Sequence, residues 1–214
     1  VTARRERLPE DFLAGTLYVS DQAHHSLGKA AVLAGFPPGN VREVPTDEGF
    51  RVRLDALADA VAEDRRRGMT PFLVVANAGT VNTGAIDPLP ALADIAEREA
   101  MWLHADAAFG AFARLSATLS ALVDGLERCD SLAFDLHKWL YVQYDCGCAL
   151  VRHRESHRET FSVMPAYLRK LDRGLASGPF NFSEYGVQLS RSFKALRAWM
   201  ALKTEGIARY RQQV

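Results

Sequence analysis

Short apolar runs alternate with amphipathic stretches along most of this chain, and that alternation limits the fold more than any single residue does. TLYVSDQ (16–22), VREVPTD (41–47), PFLVVANAG (71–79), MWLHADAAFG (101–110), SLAFDLH (131–137) and CGCALVRH (146–153) read as strands. Between them, AHHSLGKAAVLAG (23–35), LDALADAVAEDRRRG (54–68), LPALADIAEREA (89–100) and LSALVDGLERCD (119–130) carry apolar residues at helical spacing. Gly35 and Gly68 stop the first two of these helices. A strand–helix rhythm of this kind predicts an α/β fold, with a mostly parallel sheet and crossover helices covering both faces. The rhythm fails in MPAYLRKLDRGLASGPFNFSEYG (164–186), which is rich in Gly, Pro and Ser and reads as a long loop, a type of segment that is often functional. A helix resumes over 189–211.

Composition narrows the function classes. The chain has 214 residues, 48% of them hydrophobic, so a sizeable core is within reach. Its formal net charge is zero, which argues against a nucleic-acid footprint or an anionic membrane surface, since both need a basic excess. No apolar run reaches transmembrane length, and VTARRERLPEDF has no apolar signal core. The three cysteines, Cys129, Cys146 and Cys148, are odd in number and clustered. They read as free thiols in a reducing, cytoplasmic setting rather than as a disulfide framework or a zinc site.

In open parallel sheets, ligands bind beyond the carboxyl ends of the strands. The polar residues expected there are Asp21, His24 and His25; Asn77, Thr80 and Asn82; His104 and Asp106; and Asp135, His137 and Lys138. Of the five lysines, Lys138 alone stands at a strand end among large apolar groups. A lysine that loses its water is drawn toward the neutral amine, and a neutral amine condenses with aldehydes. Pyridoxal phosphate is the common aldehyde cofactor, and its chemistry needs an acid beside the pyridine nitrogen. Asp106 suits that role.

These residues sit within a series of motifs. SDQAHHSLGKA (20–30), NAGTVNTGAIDPL (77–89), WLHADAAFG (102–110), DSLAFDLHKWL (130–140) and QLSRSFKALRAW (188–199) resemble, in order and spacing, the motifs of group II pyridoxal-phosphate-dependent amino acid decarboxylases. The resemblance is greatest to the aromatic-L-amino-acid decarboxylases. It implies the large domain of the fold type I transferases, a homodimer with the active site at the interface, and decarboxylation of an aromatic L-amino acid to the amine and carbon dioxide.

By the same resemblance, Lys138 is the lysine that captures the cofactor, Asp106 pairs with its pyridine nitrogen, His24 stacks on its ring and His137 meets its phosphate. Thr80 matches the threonine of a Gly-Thr motif, and Ala108 a small residue that lets the ring approach. Asp135 stands where many relatives carry Asn, Leu136 where they carry Pro, and Val81 where many carry Thr. Tyr167 matches a loop tyrosine that serves reprotonation, at a position where Phe marks the oxygen-consuming aldehyde synthases. Ser190 falls where plant relatives carry Gly or Ser, and leans toward a phenolic substrate. Family members extend beyond both ends of this chain, so 1–188 is expected to be a partial cofactor-binding domain and 189–214 a helix leading to a small C-terminal domain. Two other readings stay open: an aldehyde synthase or aminotransferase of the same fold, and a truncated module without turnover.

Overall fold

A computed structural model describes residues 12–162, 173 and 181–214. The chain forms two compact units: one of residues 11–152 with 194–214, the other of residues 1–10 with 153–193.

The larger unit is built on one six-stranded sheet. Its strands are β1 (Gly15–Ser20), β2 (Val41–Val44), β3 (Thr70–Asn77), β4 (Trp102–Asp106), β5 (Ser131–Asp135) and β6 (Gly147–Val151), in the spatial order β2-β1-β3-β4-β5-β6. All neighbouring pairs are parallel except β5 with β6. The intervening helices are α1 (Ser26–Leu33), α2 (Leu54–Arg66), α3 (Leu89–Arg98) and the single turn α4 (Leu136–Trp139). The α/β expectation therefore holds, and so do the expected strands and the first three helices, with bounds that differ by a few residues. Gly35 and Gly68 close α1 and α2 in left-handed conformations, at φ of 92° and 74°, which favour glycine.

β1 is buried along its whole length, as a central parallel strand must be. α2 and α3 cover one sheet face. Leu57 and Val61 from α2, and Leu89, Leu92, Ala93 and Ile95 from α3, pack against Tyr18, Val74, Ala76, Leu103 and Ala105. A polar group is buried with them: Arg42 and the Tyr18 hydroxyl both donate to Asp64. Burial alone would raise the Asp64 carboxyl, but those bonds hold it below the usual carboxylate range.

Two expectations are corrected, and one strand takes a direction that the sequence left open. CGCALVRH becomes β6 but runs antiparallel to β5, in the register Phe134 with Cys148, and so needs no crossover helix. Residues 119–130 form two short 3-10 turns, Ser120–Val123 and Leu126–Arg128, in place of an α-helix. Gly125 between them has φ 102°, and a Cβ there would lie 2.9 Å from the Leu89 Cβ, so the chain turns where a helix would continue. The helix expected over 189–211 is two helices that break at Gly206 (φ 76°).

The smaller unit contains α5 (Arg154–Phe161), which the sequence reading missed, and a 3-10 turn, Phe182–Tyr185. Arg158 holds the buried Glu184 through Nε and Nη2 at 3.1 and 3.3 Å. The loop expected over 164–186 lies largely outside the described residues, and Tyr167 with it. The C-terminal helices, α6 (Lys194–Glu205) and α7 (Ile207–Gln213), return to the larger unit. There Ala198, Ala201 and Tyr210 pack on Leu136, Leu140 and Cys146. Among the described residues no helix is long and apolar enough to cross a membrane.

Candidate active site

The strand order places a topological switch between β1 and β3. From β1 the chain runs outward to β2, then returns to β3 on the other side. Crevices at such points, beyond the carboxyl ends of the strands, take ligands in open α/β sheets. His24 follows β1, Thr80 follows β3, Asp106 ends β4, and Lys138 lies one helical turn past β5.

Two glycines draw the β3 and β4 exits together. Gly110 donates its N–H to the Ala78 carbonyl at 2.9 Å, and Gly79 sits at φ 92° against it. A Cβ on Gly110 would lie 2.2 Å from that carbonyl oxygen. Gly110→Ala is therefore expected to cost roughly 1–3 kcal/mol of stability, the usual range for overpacking. Chemical denaturation would read this, and an unchanged midpoint would show that the two loops separate freely.

Asp106 is the last residue of β4, opposite Ala133 of β5 and Asn77 of β3. Its Oδ1 accepts from the Ala108 N–H at 3.1 Å, which orients the carboxylate and places half-buried Ala108 beside it. The next residue, Phe109, presents its ring 4.5 Å from Lys138 Nζ.

Lys138 departs from the sequence expectation in one respect. It is neither unpaired nor stripped of water: its side chain is 30% exposed, and Nζ lies 2.9 Å from Asp135 Oδ2. The strand-to-helix step makes this pair, because residues three apart across one helical turn face each other. Gly147 leaves space for the acid, since a Cβ there would stand 3.0 Å from Asp135 Oδ1.

Asp135 Oδ2 also lies 3.9 Å from His137 Nε2. On the other side of that ring, the Cys146 backbone N–H donates to Nδ1 at 2.9 Å. A backbone amide can only donate, so the neutral ring carries its proton on Nε2. Tyr144 meets the ring edge-on at 4.5 Å.

His24 is exposed and lies 4.2 Å from the His25 ring. Its Nδ1 is 2.7 Å from Ser26 Oγ and accepts from the Ser26 backbone N–H at 3.3 Å, so its neutral proton too sits on Nε2. Thr80 is buried and tied into its own turn: Oγ1 is 2.7 Å from Thr83 Oγ1 and accepts from the Ala85 N–H at 3.1 Å.

Contacts thus join Asp135, His137 and Lys138 directly, and Phe109 links that group to the segment of Asp106 and Ala108. His24 and Thr80 reach the same end of the sheet through β1 and β3. Sequence reasoning missed Phe109, the Cys146 amide and the Asp135–Lys138 pair. The D-x-x-K spacing of 135–138 was the one legible signal among them. It also missed Asp87, which is buried and accepts from Val52 N, Asn77 N and Asn77 Nδ2 at 2.7, 2.7 and 2.9 Å, pinning the end of β3. Burial raises its carboxyl above the usual range against the pull of those three bonds.

The donor set fits pyridoxal phosphate: a primary amine for an aldehyde, a fixed carboxylate for a ring nitrogen, and Nε2–H imidazoles for a ring face and an anion.

Residues 5–214 match the family described as the pyridoxal-dependent decarboxylase conserved domain. Among curated relatives, the chain is 42% identical over 212 residues to an aromatic-L-amino-acid decarboxylase of Bacillus atrophaeus, with 99% of this chain and 44% of that one covered. It is 33% identical to a phenylacetaldehyde synthase of Petunia hybrida, covering 99% of this chain and 43% of the relative. Among solved structures, it superposes on Oryza sativa TDC with PLP and tryptamine at a TM-score of 0.91 and 33% identity, over 98% of this chain and 44% of that one. The chain thus spans less than half the length of these relatives. Its sheet is that of the fold type I large domain. With the motifs, the sheet and these likenesses in agreement, the chain belongs to the pyridoxal-dependent decarboxylase family.

Proposed function

We propose that the protein of which this chain is part decarboxylates an aromatic L-amino acid to the amine and carbon dioxide, as a homodimer that uses pyridoxal phosphate. The observation that carries this reading is the placement of Asp106 and Lys138 at the carboxyl ends of adjacent parallel strands, β4 and β5. The relatives' names support the substrate class. Lys138 would hold the cofactor's aldehyde carbon, Asp106 its ring nitrogen, His24 its ring face, and His137, through Nε2–H, its phosphate. When bound, the cofactor supplies an electron sink for the pair released as the carboxyl group leaves.

The chain's own groups do the rest. Asp106 keeps a negative charge fixed at the strand end, with its orientation set by the Ala108 amide. Asp135 faces the Lys138 ammonium, a place for its charge whenever the amine is free. Phe109 walls the amine on another side and limits water there.

A proton must also return to the alpha carbon. Tyr167, by family resemblance, is the residue that delivers it; it lies outside the described residues. In the full-length protein, Tyr167→Phe is expected to lower amine formation by about 10²-fold or more, the usual general-acid factor, with aldehyde, ammonia and peroxide appearing in air. Product analysis of wild type and variant with aromatic amino acids, under air and under nitrogen, tests both points. Amine from the wild type supports the decarboxylase. Aldehyde and peroxide from the wild type would favour the second reading, an aldehyde synthase, which the likeness to the Petunia hybrida enzyme keeps in view. Unchanged amine yield from the variant would remove Tyr167 from the reaction.

A further inference from the structure

β4 divides its side chains between two faces. Leu103 and Ala105 enter the core, while Trp102, His104 and Asp106 share the opposite face. Across the ladder, Ser131 of β5 is the register partner of His104, two residues before the partner of Asp106. Its hydroxyl is engaged twice: Trp102 Nε1 lies 2.7 Å from Ser131 Oγ, and His104 Nδ1 lies 2.7 Å from the same oxygen.

Chemistry fixes the direction of one of these bonds. An indole N–H only donates, so the serine oxygen accepts from Trp102. The hydroxyl keeps one proton, and His104 Nδ1 lies 2.7 Å away. When the hydroxyl donates to it, Nδ1 accepts and the neutral imidazole carries its proton on Nε2. Burial acts in the same direction: it holds the ring below the usual histidine range, against the opposing pull of Asp106.

We propose that Trp102, Ser131 and His104 form a positioning relay that keeps His104 neutral, in the Nε2–H form, beside Asp106. The benefit to the site is electrostatic. An imidazolium on the same strand face would take up part of the carboxylate's charge and compete with a protonated pyridine nitrogen for it. A neutral imidazole of fixed tautomer leaves that charge to the ligand. The relay rests on the reading of Asp106 as the ring-nitrogen partner. None of its members touches the reacting atoms, so they are positioning residues.

The test uses full-length protein with 15N-labelled histidine, first without cofactor. Long-range 1H–15N correlation reads each ring's tautomer directly, and His104 is identified by the signal absent from His104→Gln. The expected result at neutral pH is a neutral Nε2–H ring for His104, a mixture of tautomers in Ser131→Ala, and the wild-type pattern again in Ser131→Thr, which keeps the hydroxyl. Titration with pyridoxal phosphate, followed by absorbance, should then show roughly 3- to 10-fold weaker binding for Ser131→Ala, the range for one lost hydrogen bond, and near-normal binding for Ser131→Thr. An imidazolium or an Nδ1–H ring in the wild type would overturn the relay. So would an unchanged tautomer in Ser131→Ala, or wild-type cofactor affinity in that variant. The tautomer is read in cofactor-free protein, so it stands or falls separately from the role given to Asp106, which the Asp106→Asn variant addresses.

Discussion

Lys138→Ala in the full-length protein is expected to abolish covalent capture of the cofactor and to lower turnover by on the order of 10³-fold or more, because that side chain is the nucleophile that holds the cofactor's aldehyde carbon. Lys138 and Asp135 are half-buried, at 30% and 25% exposed, so chemical denaturation measured beside turnover separates any folding effect from the loss of capture. The direct measurement is borohydride reduction of the loaded wild type followed by peptide mapping, with the cofactor's mass expected on Lys138. Lys194, engaged with Asp145, and Lys203, 6.0 Å from the Trp199 ring centroid, are internal controls. Label on another lysine, or none at saturating cofactor, would overturn the assignment.

Asp106→Asn is the second large effect. Asparagine keeps the shape, and its Oδ1 can still accept from the Ala108 amide, so the strand end should survive. What disappears is the charge. At about 4 Å and an effective dielectric of about 20, the raw attraction between a carboxylate and a pyridinium is about 4 kcal/mol, before desolvation is subtracted. At about 1.4 kcal/mol per decade, that leaves an expected fall of roughly 10²–10³-fold in turnover, while the variant still takes up cofactor. Cofactor content measured beside turnover separates the two effects, and near-normal turnover in the Asn variant would falsify the electron-sink role.

Much of the sheet was legible because parallel strands buried on both faces must be short continuous apolar runs, and PFLVVAN or GTLYVS admit few alternatives at that length. α2 and α3 were legible for the complementary reason: each covers one sheet face and so carries an apolar stripe. α5 was not legible. Its sequence, RESHRETF, has almost no apolar stripe, and none of its residues is buried. The turns at 120–128 misled in the opposite way, with a helical pattern that Gly125 and its contact with Leu89 interrupt.

For the site, the residue types were readable and the partnerships were not. The sequence by itself determined an α/β sheet, a lysine and an aspartate at the ends of successive strands, and histidines near them, because periodicity and chain order carry that information. Tertiary structure alone decided that β6 runs antiparallel, since five residues of strand encode no pairing direction. It decided that Lys138 is met by Asp135 and Phe109, that the Cys146 amide sets the proton of His137, and that Ser131 stands between Trp102 and His104. Hydrogen bonds and ion pairs depend on distances of about 3 Å between groups that can be tens of residues apart, and register, not local pattern, brings such groups within reach.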